Sequence, residues 1–205
     1  MTLTDQEKER AFTEEQPQRH EQHRRALVEW IVVVVVALVA ALLIKTFAIQ
    51  AFYIPSPSMV PTLKPGDRVL VNKLSYDFHS VHVGDIVVFR RPPADTTLGI
   101  DDLIKRVVGL PGQTISVSGC KVYVNGKQED QSYLPQGWQN PSSEYCTVWT
   151  TSLPNPYKVP AGEYFVMGDN RKDSYDSRYW GPLPSSYIVG RAFVRMWPPS
   201  RAGFL

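Results

Sequence analysis

The sequence predicts a mostly β chain, with a single N-terminal transmembrane helix followed by a loop-rich antiparallel β domain. Three observations carry this. Only one segment, centred on Trp30 to Ile44, is apolar for long enough to approach the span of a bilayer. Beyond it, short runs rich in Val, Ile and Phe are punctuated by Gly and Pro, the pattern of strands and turns. The chain holds 17 Pro, most of them after residue 50, and proline is poorly tolerated inside helices.

Residues 1–25 are polar, rich in Glu, Gln and Arg, and read as a solvated tail. The uncharged stretch Trp30–Ile44 falls short of the roughly 20 residues a spanning helix needs, so the segment is extended to 26–48. That extension takes in Glu29 and Lys45 near its ends, where Lys45 snorkels and Trp30 suits the interface. Arg24 and Arg25 precede the span, so the positive-inside rule places the N-terminus in the cytoplasm. A cleaved secretory leader is the competing reading. The long polar lead and the lack of an Ala-x-Ala-like exit argue against it. Residues 49–205 then form one extracytoplasmic domain.

Within that domain Asp67–Lys73 alternates after the turn Lys64-Pro65-Gly66 and reads as a strand. Asp85–Arg90 is a buried-type strand stopped by Pro92-Pro93, and Leu103–Val108 is another, ended by Gly109 to Gly112. Thr114–Val117 and Val122–Val124 follow, with Asn125-Gly126 as a hairpin turn. Residues 128–160 carry Pro, Ser and Asn and read as an irregular excursion. Tyr164–Met167 and Ile188–Met196 close the domain as strands.

Composition removes several function classes. A net charge of +2 without a basic stripe gives no nucleic-acid partner. The four His and two Cys show no metal-ligand spacing, so neither a metal nor another cofactor is implied. Outside the cytoplasm, Cys120 and Cys146 are a disulfide candidate, the alternative being two buried thiols. Such a bond closes a loop of about 25 residues and contributes on the order of 3 kcal/mol in the chain-entropy account.

The run Pro55-Ser56-Pro57-Ser58-Met59-Val60-Pro61-Thr62-Leu63 points to chemistry. Prolines stiffen this loop against helix and sheet, which suits a hydroxyl held in one place. A hydroxyl nucleophile needs a base. His79 and His82 lie in a polar stretch with no motif around them. Lys105 lies inside an apolar strand, where burial lowers an amine pKa into a useful range. Arg106 beside it points to the opposite face, so one of the two cations is expected inside and the other in solvent. The same pattern is also that of a lysine snorkelling from an edge strand. A dense polar loop, Gly168–Gly181, holds small hydroxyls with an Asp and an Arg two residues apart.

These segments, taken in order with Gly66-Asp67, Lys73, Gly84–Phe89 and Ile104–Gly112, resemble the motif set of the bacterial type I signal peptidases, membrane-bound Ser-Lys proteases. The resemblance covers the chain from the apolar segment to about residue 195. It implies a nucleophile at Ser58, a general base at Lys105, and an oxyanion hole formed by Ser56 and the Ser58 N–H. It implies that Ser174 bonds the Lys105 amine, that Asp176 and Arg178 brace the loop as an ion pair, and that Asp169 joins the same support. Phe52, Ile54, Pro55, Val88, Leu103 and Ile104 fall on positions lining shallow pockets for small side chains. The implied partners are secretory preproteins with signal peptides ending in Ala-x-Ala junctions, and membrane lipid. Pro57 stands where many members have Gly, and Leu103 where an aromatic is common.

Two other readings stay open at this level. One is a related Ser-Lys protease that cleaves itself or a repressor, which the membrane anchor disfavours. The other is a membrane-anchored binding or scaffold domain without catalysis, which has no use for a retained Ser58 and Lys105.

Overall fold

The computed structural model describes residues 25–42, 48–95, 99, 101–138, 140, 142–149 and 153–205, and divides at Phe47/Ala48 into two units. In the first, Arg25–Leu42 forms a helix, α1, of 18 residues, long and apolar enough to cross a membrane. Ala48 stands in a turn. The polar tail before Arg25 and residues 43–47 lie outside the described residues.

The second unit is antiparallel β throughout its named pairings. Its strands are β1 (Ile49–Tyr53), β2 (Arg68–Asn72), β3 (Ile86–Arg90), β4 (Asp102–Gly109), β5 (Thr114–Ser118) and β6 (Lys121–Val124). After these come β7 (Lys127–Gln128), β8 (Tyr157–Lys158), β9 (Glu163–Met167), β10 (Leu183–Pro184), β11 (Ile188–Trp197) and β12 (Gly203–Phe204). The larger sheet has 8 strands in the order β1-β2-β11-β3-β4-β9-β10, with β12 on β11. The smaller has 4, in the order β7-β6-β5-β8. Asn125 and Gly126 both take positive φ (52° and 77°), the backbone of a two-residue hairpin turn, and join β6 to β7.

The central strands β3 and β4 are buried on both faces, so β3 reads as a continuous apolar run and β4 as one interrupted only by Lys105 and Arg106 after its exposed first residue. One face of β4 carries Leu103, Lys105 and Val107, and the other carries Ile104, Arg106 and Val108. Ile104 packs with Ile54, Met59, Leu63, Val69, Val71, Ile86 and Val88. Val107 packs with Val87, Phe89, Val166 and Leu183. A third cluster, Val108, Ile115, Val122, Val159 and Phe165, joins the larger sheet to the smaller. Within the stretch expected to be irregular, Tyr157–Lys158 instead forms β8 on β5, and a disulfide joins Cys120 to Cys146 across 26 positions.

Candidate active site

The proline-braced loop after β1 tightens into a single 3-10 turn, Pro57–Met59. Pro57 opens that turn, where its missing N–H is not required and its fixed φ fits. Met59, fully buried in the core, anchors the turn from below. The peptide is held from the far side as well. Asn170 donates its N–H to the Ser58 carbonyl at 3.0 Å and its side-chain amide to the Pro57 carbonyl at 3.3 Å. The Ser58 hydroxyl is therefore fixed from both sides of a short, stiff segment.

Lys105 reaches the same point from the middle of β4. Its Nζ lies 2.7 Å from Ser58 Oγ, although the residues are 47 apart in sequence. Ser56 Oγ lies 3.2 Å from Ser58 Oγ. Ser58 and Lys105 are buried, and Ser56 is half-buried. Burial brings the Lys105 amine down to about 8, against the opposing pull of the Asp176 and Asp95 carboxylates. An amine poised there is partly free base near neutrality and can take a proton from a hydroxyl in contact with it. His79 and His82 are exposed, and the Ser58 hydroxyl is bonded to Lys105 and Ser56 rather than to either of them.

Around this pair lies a layer of buried charges. Asp176 takes a two-pronged contact from Arg178, at 2.8 Å to each carboxylate oxygen, and accepts the Gly168 N–H at 3.0 Å. Burial pushes the Asp176 carboxyl up, but the Arg178 charge and these hydrogen bonds outweigh it and hold it below its ordinary value. Arg178 also donates to the carbonyls of Arg171 (2.7 Å) and Val148 (3.1 Å), so it ties the 168–181 loop to the excursion. Asp169 is separate from that pair. It accepts two bonds from Arg106, at 2.8 and 2.7 Å, and one from the Thr62 hydroxyl at 2.5 Å.

Two sequence expectations are corrected. Arg106 does not meet solvent, because Asp169 pairs with it and the Tyr133 ring of the excursion covers it at 4.0 Å. Ser174 Oγ makes no hydrogen bond to Lys105; it is buried beside the Asp176 carboxylate, which it helps hold below its ordinary value. It packs instead over Gly168. Leu103 lies against a different core cluster from the other pocket positions. It packs with the Val87 and Phe89 cluster, whereas Phe52, Ile54, Val88 and Ile104 share the cluster around Met59 and Pro55 is exposed.

Sequence reasoning missed Thr62, Asn170, Arg171, Glu129 and Tyr133. A readable signal existed for Thr62, which sits in the Pro55–Leu63 run, and for Asn170 and Arg171, which sit in the polar loop. Gly168 is held to glycine by space. A Cβ placed on it meets Ser174 Oγ at 2.3 Å and the Ser58 carbonyl at 2.4 Å. Gly168→Ala is expected to cost about 1–3 kcal/mol of stability by overpacking and to displace the Ser58 peptide. Urea unfolding and kcat measured on the same variant check both effects.

Among the described residues no cluster of His, Cys, Asp or Glu is able to hold a metal ion. The chemistry open to a serine hydroxyl in contact with a buried, pKa-lowered amine is hydrolysis through a serine nucleophile. Comparisons with known proteins find signal peptidases. The family model described as signal peptidase, peptidase S26, matches residues 27–197. A probable signal peptidase I-2 from Synechocystis is 45% identical over 172 residues, 83% of this chain and 73% of that protein. A signal peptidase I from Leptolyngbya laminosa is 43% identical over 87% of this chain and 84% of its own length. A crystal structure of a signal peptidase I from Enterococcus faecalis is 30% identical, with a TM-score of 0.46, covering 55% of this chain and 97% of that one. The chain belongs to the S26 signal peptidase family.

Proposed function

We propose that this chain is a membrane-bound serine endopeptidase that removes signal peptides from secretory preproteins, with Ser58 as nucleophile and Lys105 as general base. The observation that carries it is the 2.7 Å contact between a buried hydroxyl and a buried amine brought down to about 8. In the neutral state of Lys105, the Ser58 hydroxyl donates to Nζ. As Oγ attacks the scissile carbonyl, its proton passes to Nζ. The Ser58 N–H and the Ser56 hydroxyl are assigned to the oxyanion. Lys105 then gives its proton to the departing amine, which is the new N-terminus of the mature protein. Water, deprotonated by Lys105, releases the signal peptide from the Ser58 ester.

Specificity comes from exclusion. Phe52, Ile54, Val88 and Ile104 belong to one packed apolar cluster, which supports shallow pockets that admit only small side chains. This favours Ala-x-Ala junctions, because a larger side chain has no volume to fill. The substrate's extended cleavage region binds beside an exposed strand by β-augmentation. The apolar helix Arg25–Leu42 supports anchoring in lipid. Arg25 at its start supports a cytoplasmic N-terminus, with residues 49–205 as the extracytoplasmic catalytic domain.

The experiment is cleavage of a preprotein with an Ala-x-Ala junction, by the full chain in lipid-supplemented detergent, as a function of pH. The base must be unprotonated. The rate therefore rises about ten-fold per pH unit on the acid side and levels off above about 8. Replacing the last Ala of the junction by Leu is expected to abolish cleavage. A folded chain that cleaves nothing overturns the reading, and so does a rate that falls as pH rises through this range.

A further inference from the structure

We propose that Tyr133, on the disulfide-closed excursion, is a positioning residue for the catalytic pair, acting through Arg106 and Arg171. Its ring lies under the Arg106 guanidinium at 4.0 Å from the centroid. Its hydroxyl donates to Glu129 at 3.0 Å and accepts from Arg171 Nη2. Glu129 and Arg171 also lie 3.8 Å apart as an ion pair. The excursion thus clamps two buried arginines with one side chain.

Both arginines lead to the reacting atoms by short, rigid routes. Arg106 is the chain neighbour of Lys105, and its other face is locked on Asp169 and the Gly84 carbonyl. Asp169 in turn holds Thr62, a few residues past Ser58, and precedes Asn170, which grips the Ser58 carbonyl. Arg171 follows Asn170, and its carbonyl accepts from Arg178. Pulling either arginine out of line therefore moves the Ser58 turn, the Lys105 strand, or both. A cation stacked on an aromatic face is held in direction as well as place, and that attraction is stronger where water is excluded. Side chains that direct other side chains in this way matter because small misplacements of reacting groups reduce rates steeply.

This role presupposes that Ser58 and Lys105 carry the reaction. Tyr133→Phe keeps the ring and loses the hydroxyl bonds to Glu129 and Arg171. Tyr133→Ala loses both. Trp138→Ala disturbs the same excursion, since Trp138 stacks on Tyr145 at 4.0 Å, without touching either arginine. The readouts are kcat and KM on one preprotein, with melting temperature to report the folded fraction.

Tyr133→Phe is expected to lower kcat about 3- to 10-fold and Tyr133→Ala about 10- to 100-fold, with KM within two-fold. Trp138→Ala is expected to leave kcat within about two-fold of wild type. If Trp138→Ala lowers kcat as much as Tyr133→Phe, the effect is general order in the excursion and the role is overturned. A rise in KM at constant kcat overturns it too, because positioning acts on the chemical step. Should Tyr133→Ala fail to fold, Tyr133→Phe decides, and an unchanged kcat there refutes the role. Ser58→Ala run alongside separates two failures. An active Ser58→Ala overturns the nucleophile and this role with it, whereas an inactive Ser58→Ala with unaffected Tyr133 variants overturns the role alone.

Discussion

Lys105→Ala is expected to lower kcat/KM for preprotein cleavage by about 10⁴-fold or more, with the fold intact. The size follows from what the amine does. Without a base, Ser58 attacks as a neutral hydroxyl, and no other described side chain bonds its Oγ except Ser56, which is no base at neutral pH. Stability moves little, because burial already lowers the Lys105 pKa to about 8 and the lost group is a desolvated amine. Lys105→Arg is expected to be equally inactive, since a guanidinium stays protonated throughout the working range. Ser58→Ala loses the nucleophile itself and falls to the same level. The double variant falls no further, because groups that act as a unit do not add. Cleavage assays at high enzyme concentration, with melting temperatures for each variant, check this. Near-wild-type cleavage by Lys105→Ala removes it as the base.

That Lys105 was legible at all reflects a local contradiction, a cation inside an apolar strand. Ser58 was legible because prolines on both sides have no good place in a sheet. Their meeting was not readable from either segment, since the contact spans 47 positions and depends on how β4 lies against the Pro57–Met59 turn. The major strands were readable from apolar runs and Gly or Pro stops. β1 was not, because Ile49–Tyr53 follows the apolar segment closely in sequence with no Gly or Pro to mark a break. Arg106 misled for a related reason. Alternation along β4 gives its face correctly, but only the excursion shows that the face is covered, by a tyrosine from a stretch with no periodicity. The resemblance placed Ser174 beside the amine. In the structure the Ser174 hydroxyl lies beside Gly168 and the Asp176 carboxylate, an approach that no sequence pattern encodes.

Asp176→Ala is expected to destabilise the folded chain by about 3–5 kcal/mol, the usual consequence of stranding one member of a buried ion pair. Arg178 is 1% exposed, and its guanidinium makes contacts through both Nε and Nη2 with the lost carboxylate. Carbonyls of Arg171, Ser174 and Val148 remain as acceptors, but none neutralises the charge. The Gly168 N–H loses its acceptor in the same substitution. A loss of this size lowers the melting temperature by roughly 10 °C in a domain of this length. The exposed pair Lys172–Glu144, at 3.4 Å, is the internal contrast, and removing it is expected to shift melting by less than about 2 °C. The pH dependence has a definite sign. The folded pKa of Asp176 lies below its ordinary value of 3.8, so its contribution is complete above that value and is lost as pH falls toward the folded pKa. Asp176→Ala should therefore flatten the acid limb of the stability curve as well as lower it. A variant that melts lower but keeps the wild-type acid limb assigns that limb to other carboxylates. One that melts at the wild-type temperature shows that water or a rearranged loop compensates Arg178. In that event the 168–181 segment is held to the core by Asn170 and Asp169 rather than by this pair.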